Sequence, residues 1–292
     1  MLSGVPRIVS ITGESVPDAT PPVSLREHWL EACQQTSTGF SFVKRVKQNG
    51  RSPRWSTPID VINDAVGGAY GLTTLSGTAG AGKSQLALGT AILSALRDDV
   101  PAVYVAAEMT RGQCEDRLIF LARAHGYPES SVQAAVEDGR LVLMYRKGPI
   151  SWLDFERGVG AALAGTTTAL LVLDSINSLL ASMVESGGSD MGYWQLFRRI
   201  ADAIIDTRRS SEGKLCGIII SELNKDGVSR GRGLEYWSDL AVKLTATKLP
   251  RVVDVHIDKT REAGRDGAQG AWRITHNGTW VSASGETEEG EI

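Results

Sequence analysis

The chain has few cysteines, no long apolar run and no strong excess of either charge. Its three cysteines, Cys33, Cys114 and Cys216, are far apart and none belongs to a C-x-x-C pair, so neither a disulfide framework nor a zinc module is indicated. The longest purely aliphatic stretch, at 169–173, is far shorter than the roughly 20 residues that span a bilayer. The N-terminus also lacks the pattern of a secretory signal. We therefore expect a soluble, cytoplasmic protein with no membrane partner.

The charge balance restricts the kinds of partner. The formal net charge is −3, which argues against a uniformly basic surface for nucleic acid but leaves room for local basic loops. Hydrophobic residues make up 42% of the chain, an ordinary share for a globular protein with a real core. At 292 residues the chain suits one large α/β domain or two small ones.

The two ends of the sequence differ from its middle. Residues 1–56 mix Pro, Ser, Thr and Gly with one helical stretch at 25–35, followed by a basic-aromatic run from Phe40 to Trp55. We interpret residues 1–56 as an N-terminal arm or lid. The aromatic residues of the run could stack on bases or pack on a neighbouring subunit, and we favour the second. Residues 283–292 form an acidic tail, which we expect to be disordered.

Between residues 57 and 282, strand and helix patterns alternate. The predicted strands are 72–76, 102–106, 141–145, 169–173, 217–221 and 252–259, and the main predicted helices are 83–97, 112–125 and 152–163. A further helix is indicated by the spacing of Tyr193, Phe197, Ile200 and Ile204. The alternation predicts an α/β core with a mostly parallel central sheet flanked by helices. Asn277-Gly278 predicts a C-terminal β-hairpin.

A phosphate-binding motif lies between the first predicted strand and the first long helix. The pattern is G-x-x-x-x-G-K-[ST], and the predicted nucleotide-binding residues are Gly77, Thr78, Ala79, Gly80, Ala81, Gly82, Lys83, Ser84 and Gln85. In such a loop the backbone N–H groups face the phosphates, Lys83 reaches the β- and γ-phosphates, and the Ser84 hydroxyl ligates Mg²⁺. The alternative is a chance glycine-rich turn, which the flanking strand and helix disfavour. We therefore expect a nucleoside triphosphate and magnesium to bind here.

Two carboxylates follow predicted strands and are candidates for chemistry. Asp174 ends the strand at 169–173, where parallel sheets place ligand-handling groups, and we predict that it holds magnesium together with Ser84. Glu108 follows the strand at 103–107, which we expect to lie beside the P-loop strand, and could deprotonate the attacking water. Asp174 could instead cap the following turn, and Glu108 could be an N-cap or a surface acid before the helix at 112–125.

Several segments resemble the motors of DnaB-type helicases. The segment 103–110, followed by 113–118, resembles the second strand of those motors, and Ser-Glu-Leu-Asn-Lys at 221–225 resembles their Ser-Gln-Leu-Asn-Arg strand end. Residues 56–60 and 67–71 resemble the entry to RadA- and KaiC-type ATPases, and Leu-Asp-Ser-Ile at 173–176 resembles the Walker B motif of RadA and RecA. The chain thus resembles the RecA/DnaB/RadA-like P-loop ATPase family over residues 57–281, which implies a RecA-like core and ATP as the nucleotide.

The resemblance also implies roles for residues late in the chain. The family uses Gln or His to sense the γ-phosphate where this sequence has Glu222, and Asn224 could substitute as the polar sensor. Lys259 and Arg261 resemble the Lys-x-Arg finger that a subunit inserts into the site of its neighbour. Such a finger implies a homo-oligomer, either a hexameric ring or a filament. The alternative is a pair of solvated cations at a strand end.

Two loops correspond to those that hold nucleic acid in the related motors. The loop at 185–190 is Gly/Ser-rich and acidic, whereas the loop at 225–233 places Lys225, Arg230 and Arg232 among glycines. Flexible basic elements of this kind suit phosphate contacts. We predict that the second loop binds single-stranded DNA, with RNA as the other option, although it could also be an exposed, solubilising loop.

The function implied by the resemblance is an ATP-hydrolysing motor for single-stranded nucleic acid. Such a motor would act as a helicase, translocase or recombination factor in replication, recombination or repair, in a bacterial, phage or plasmid-encoded setting. Two alternatives stay open: a KaiC-like switch whose nucleotide state changes its protein partners, and a viral genome-packaging ATPase. A small-molecule kinase is disfavoured, because the sequence has no evident lid domain.

Overall fold

The computed structural model describes residues 8–10, 53–163, 166, 168–185, 195, 198–204, 215–223, 237–261, 270–276 and 280–281. Some sequence predictions lie outside these residues, namely the helix at 25–35, the basic-aromatic run before residue 53, Tyr193 and Phe197 of the later helix, the Asn277-Gly278 turn, the acidic tail, and the two predicted nucleic-acid loops apart from Glu185. The predicted site residues outside the described part are Asn224, Lys225, Arg230 and Arg232.

Strands and helices alternate along the described chain. The strands are β1 (Ile8–Ser10), β2 (Leu72–Gly77), β3 (Ala102–Ala106), β4 (Leu141–Tyr145), β5 (Ala169–Asp174), β6 (Leu215–Glu222), β7 (Leu240–Ala246), β8 (Val252–Thr260), β9 (Gly270–His276) and β10 (Trp280–Val281). The helices are α1 (Asp60–Val66), α2 (Lys83–Leu96), α3 (Arg111–Ala124), α4 (Glu129–Glu137), α5 (Trp152–Leu163) and α6 (Ile176–Glu185), and residues 198–204 are helical as well. None of the described helices is long and apolar enough to cross a membrane.

One sheet contains all ten of these strands, in the order β1-β4-β3-β5-β6-β2-β7-β8-β9-β10. The neighbours from β1 to β7 in this order are parallel, whereas β8, β9 and β10 join antiparallel. At the far edge β10 pairs with β9, with Trp280 opposite His276. The predicted fold class, a mostly parallel sheet ending in a hairpin, is confirmed.

Two hydrophobic cores cover the two faces of the parallel strands. Tyr104, Val172 and Ile218 point to the face that packs on α2, α3 and α4, whereas the next residues along β5 and β6, Leu173 and Ile219, point to the face that packs on α5 and α6. Successive side chains of a strand point to opposite faces, so a strand buried on both faces must be apolar throughout. This explains why these strands read as continuous runs of Val, Ile and Leu.

The strand order corrects one prediction. The P-loop strand β2 lies between β6 and β7, and β3, which precedes Glu108, lies between β4 and β5. Two strands therefore separate β3 from β2, and the prediction that they are neighbours was wrong. The connection from β2 to β3 through α2 passes over β5 and β6. A local sequence pattern predicts that strands are parallel but does not specify which strands pair.

The residues just before the predicted core start are packed rather than exposed. Trp55 is only 2% exposed and pairs with Ala69 in an isolated bridge. The Arg54 guanidinium lies 3.6 Å from the ring centre of Tyr70, within the range of a cation–π contact. Trp55, the last aromatic residue of the basic-aromatic run, is therefore part of the core and is not exposed for base stacking.

Candidate nucleotide site

Four predicted site residues meet at one edge of the sheet because the carboxyl ends of parallel strands lie side by side. Gly77 at the end of β2 pairs with Glu222 at the end of β6. Ala106 at the end of β3, two residues before Glu108, pairs with Asp174 at the end of β5. The structure thus brings the P-loop and three carboxylates to the same edge.

The P-loop is fixed to β7 at its first glycine. A Cβ atom on Gly77 would lie 2.2 Å from the Leu244 carbonyl oxygen, so only glycine allows the two backbones to approach this closely. Next to it, Thr78 N–H donates to the Leu244 carbonyl, and Thr78 Oγ1 accepts from Ala246 N–H at 3.1 Å. Further along, Gly80 has φ +77° and nothing within 4 Å of a built Cβ, which leaves the tip of the loop open to a ligand.

Lys83 begins α2 and is almost fully buried. Its ammonium group donates to the carbonyl oxygens of Gly77 at 3.0 Å and Thr78 at 2.8 Å. Burial lowers the pKa of Lys83, and the carboxylates of Glu222, Asp174 and Glu108, in decreasing order, oppose that shift. The loop carbonyls therefore fix the Lys83 ammonium group, and three nearby carboxylates favour its charged form.

Asp174 is buried and bound through both carboxylate oxygens. Ser84 Oγ donates to Oδ1 at 3.1 Å, and the Tyr104 hydroxyl donates to Oδ2. Burial raises the pKa of Asp174, while the bonds from Tyr104 and Ser84 act against that rise. Burial also raises the pKa of Tyr104 well above its usual range, so its hydroxyl keeps the proton that it donates.

Glu108 is exposed, and its carboxylate is bound by two serines. Ser175 Oγ and Ser178 Oγ both donate to Oε1, the second at 2.7 Å. The helix that follows Glu108 is capped by Thr110, whose hydroxyl accepts from Gln113 N–H in a capping box. Glu108 therefore does not serve as that cap, and of the two alternatives to the catalytic role only that of an exposed surface acid stays open.

The sensor position lies close to the P-loop lysine. Glu222 is the carboxylate with the strongest effect on the pKa of Lys83, and its backbone N–H donates to Asn177 Oδ1 at 3.4 Å. Ser221 Oγ donates to the same oxygen at 3.4 Å. A carboxylate at this position would repel phosphate unless an opposite charge lies nearby, and Lys83 provides that charge.

Lys259 and Arg261 lie at the opposite end of the strands from the P-loop, near the amino-terminal ends of β7 and β2. Thr260, between them in sequence, pairs with Leu240 at the beginning of β7, and Leu240 pairs with Thr73 at the beginning of β2. Four residues of strand at about 3.3 Å each separate Thr73 from Gly77, a separation of roughly 13 Å before the P-loop begins. The exposed Arg261 is thus remote from the P-loop of its own chain.

The residues at the carboxyl edge fit a nucleotide with magnesium. A hydroxyl and a carboxylate, Ser84 and Asp174, are already within hydrogen-bond distance of each other, and oxygen ligands are those that Mg²⁺ prefers. The open tip of the P-loop and the N-terminus of α2 offer backbone N–H groups to phosphate oxygens.

Sequence reasoning missed Tyr104 and Ser178. Ala106 pairs with Asp174, so the two side chains lie on the same face of the sheet. Tyr104 precedes Ala106 by two residues, and strand alternation therefore puts its side chain on that face as well. That signal was present but could be used only once β3 was known to lie beside β5. Ser178 carried no comparable signal, because its role depends on how α6 is placed.

Fold and site together define a P-loop ATPase core of the RecA type. A family model described as an AAA domain matches residues 41–209, more than half of the chain, and the chain belongs to this family. No curated protein matches the sequence.

Solved structures share the fold at low sequence identity. A KaiC-like protein from the hyperthermophilic archaeon Pyrococcus horikoshii OT3 superimposes with a TM-score of 0.62 at 15% identity, over 80% of this chain and 99% of that one. The RadB recombinase superimposes with a TM-score of 0.56 at 19% identity, over 76% of this chain and 95% of that one. At sequence identities this low, the similarity shows a shared fold and nothing more.

Proposed function

We propose that this protein hydrolyses ATP with magnesium at the carboxyl edge of the sheet. The observation that supports this best is the convergence of Lys83, the Ser84–Asp174 pair and Glu108 from three different strand ends. A glycine-rich turn with only a structural role would not require a buried lysine and a buried carboxylate beside it, since both lose hydration there.

Each residue would contribute one step to hydrolysis. Lys83 would exchange the carbonyls of Gly77 and Thr78 for phosphate oxygens, and Ser84 and Asp174 would hold the cation. Glu108 would accept a proton from water as the new P–O bond forms and the bond to ADP breaks. Bound ATP and Mg²⁺ supply the reacting phosphoryl group and the charge that balances it.

Glu108→Gln tests the proposed base directly. The amide keeps the size of the side chain but cannot take the proton, so we expect kcat to fall by about 10²- to 10³-fold while a fluorescent ATP analogue still binds. Ser130→Ala, an exposed change on α4, is the control for handling and should leave both measurements unchanged. Retained turnover in Glu108→Gln would assign the base to another residue.

We further propose that the protein works as an oligomer on single-stranded nucleic acid. The position of Arg261, remote from its own P-loop, agrees with a finger that acts in a neighbouring subunit. The basic residues proposed to bind nucleic acid are Lys225, Arg230 and Arg232, and Glu222 or Asn224 would report the γ-phosphate to that loop. The similarity to a recombinase fold supports this choice.

A KaiC-like switch is the second candidate, because a KaiC-like protein matches the fold over almost its whole length. Steady-state ATP hydrolysis with and without single-stranded DNA, measured together with the mass in solution, separates the two. Stimulation by DNA in an assembly of six or more subunits would support the motor. Equal turnover with and without DNA or RNA would favour the switch.

A further inference from the structure

The residues at the start of α6 contact the ends of β3 and β6, the two strands that flank β5. Ser178 Oγ and Ser175 Oγ bind Glu108 after β3, whereas Asn177 Oδ1 accepts from Ser221 and from the backbone of Glu222 at the end of β6. Residues 175, 177 and 178 thus lie between the proposed base and the sensor position.

The serines and the glutamate are held on a shared frame. Ala107 N–H donates to the Asp174 carbonyl oxygen at 2.6 Å, so the end of β3 is tied to the residue that precedes Ser175. Ser178 N–H donates to Ser175 Oγ at 3.4 Å, which ties the two hydroxyls to each other. The distance between Glu108 and its two donors is therefore set by backbone contacts and not by side-chain flexibility alone.

The two hydroxyls restrict an otherwise exposed side chain. Both bind Oε1 of Glu108, and none of the described residues donates to Oε2. An exposed glutamate without such partners samples many rotamers, and a base that is misplaced by about 1 Å can lose roughly 10²-fold in rate.

We propose that Ser178, with Ser175, is a positioning residue that holds Oε1 of Glu108 so that Oε2 is directed to the attacking water. This inference rests on the proposed role of Glu108 as the base. Ser178 acts through the glutamate and does not itself exchange a proton with the substrate.

The variant that separates this role from a structural one is Ser178→Ala. Alanine favours helix, so α6 should persist and the melting temperature should stay close to that of the unmodified protein. We expect kcat to fall about 10-fold with KM for ATP changed less than twofold, because Ser178 would act through the Glu108 carboxylate that it binds and not through the nucleotide. Ser178→Thr keeps a hydroxyl and should restore most of the rate, and Val184→Ala, at an exposed position of the same helix, should have no effect.

The decisive measurement combines Ser178→Ala with Glu108→Gln in a sensitive phosphate-release assay. If Ser178 acts only through the carboxylate, the double variant should be no slower than Glu108→Gln alone. An equal 10-fold loss in both backgrounds, or an unchanged kcat in Ser178→Ala while Glu108→Gln is impaired, would overturn the positioning role alone. Full turnover in Glu108→Gln would overturn the proposed base, and this inference with it.

Discussion

The parallel and antiparallel halves of the sheet differ in how they are covered and in what they carry. Every residue of β3, β4 and β5 is buried, with helices on both faces. Along β8 burial alternates, with Val253, Val255 and Ile257 packed inward while the residues between them are partly exposed. The parallel half holds the nucleotide site at its carboxyl edge, and the antiparallel half presents Lys259 and Arg261 at the opposite edge. The proposed arginine finger would require a complete site to form between two subunits.

The largest expected effect is in the parallel half, at Lys83. Lys83→Ala removes the cation that faces three carboxylates, so ATP phosphates would meet uncompensated negative charge. We expect ATP hydrolysis to become undetectable and nucleotide affinity to fall at least tenfold, as measured by phosphate release and by titration with a fluorescent analogue. Circular dichroism should show an intact fold. Normal turnover would contradict the P-loop assignment.

The next effect tests whether the antiparallel half takes part in catalysis at all. Arg261→Ala should reduce kcat by roughly 10²-fold or more while each subunit still binds ATP. Mixing Arg261→Ala with Glu108→Gln subunits should restore part of the activity, because some interfaces then combine an intact base with an intact arginine. If the mixture is no more active than its components, the arginine does not act across an interface.

A smaller effect is expected at Tyr104, a buried residue whose hydroxyl donates to Asp174. Tyr104→Phe leaves Asp174 Oδ2 buried without its donor, a loss of about 1–3 kcal/mol in the free energy of unfolding, with kcat reduced roughly tenfold. Loss of that donor raises the pKa of Asp174 further, because the bond favours the charged form. The destabilisation should therefore be larger at pH 8 than at low pH, because the charged form of Asp174 loses more from the missing donor than the protonated form does. Thermal melts of both proteins at the two pH values check the sign.

The smallest effect is expected at an exposed ion pair of the antiparallel half. Arg273 donates to Asp254 at 2.8 Å across β8 and β9, and exposed pairs of this kind contribute little. Arg273→Ala should leave the melting temperature and the ATPase rate unchanged within error. A marked loss of activity would show that this outer surface has a role beyond support.

Local sequence patterns predicted strands in both parts of the sheet, including β8 and the C-terminal hairpin, but they missed elements whose apolar pattern is short or interrupted. The buried strands and the P-loop were found because an unbroken apolar run or a glycine pattern is readable within a few residues. β7 was missed, since Lys243 interrupts the apolar pattern of Leu240–Ala246. α4 was missed because only Val132, Ala135 and Val136 form its buried face.

The residues that meet at the candidate site could be predicted to the extent that their positions follow from strand ends. Asp174 and Glu108 were found because an acid directly after an apolar strand is visible in the sequence. The neighbours of β3 were not, because pairing between strands far apart in sequence is decided by packing of the whole sheet. Tyr104 depends on that pairing, and so its contact with Asp174 became visible only in the structure.

The close approach of Gly77 to β7 has a consequence for tolerance to mutation. A Cβ at this position would overlap the Leu244 carbonyl oxygen, so the requirement for glycine comes from sheet assembly before any nucleotide binds. In a saturation library, variants at Gly77 should be lost from a screen for soluble expression as well as from a screen for ATPase activity. Substitutions at the exposed Ala79, in the same loop, should survive the first screen and be sorted only by the second.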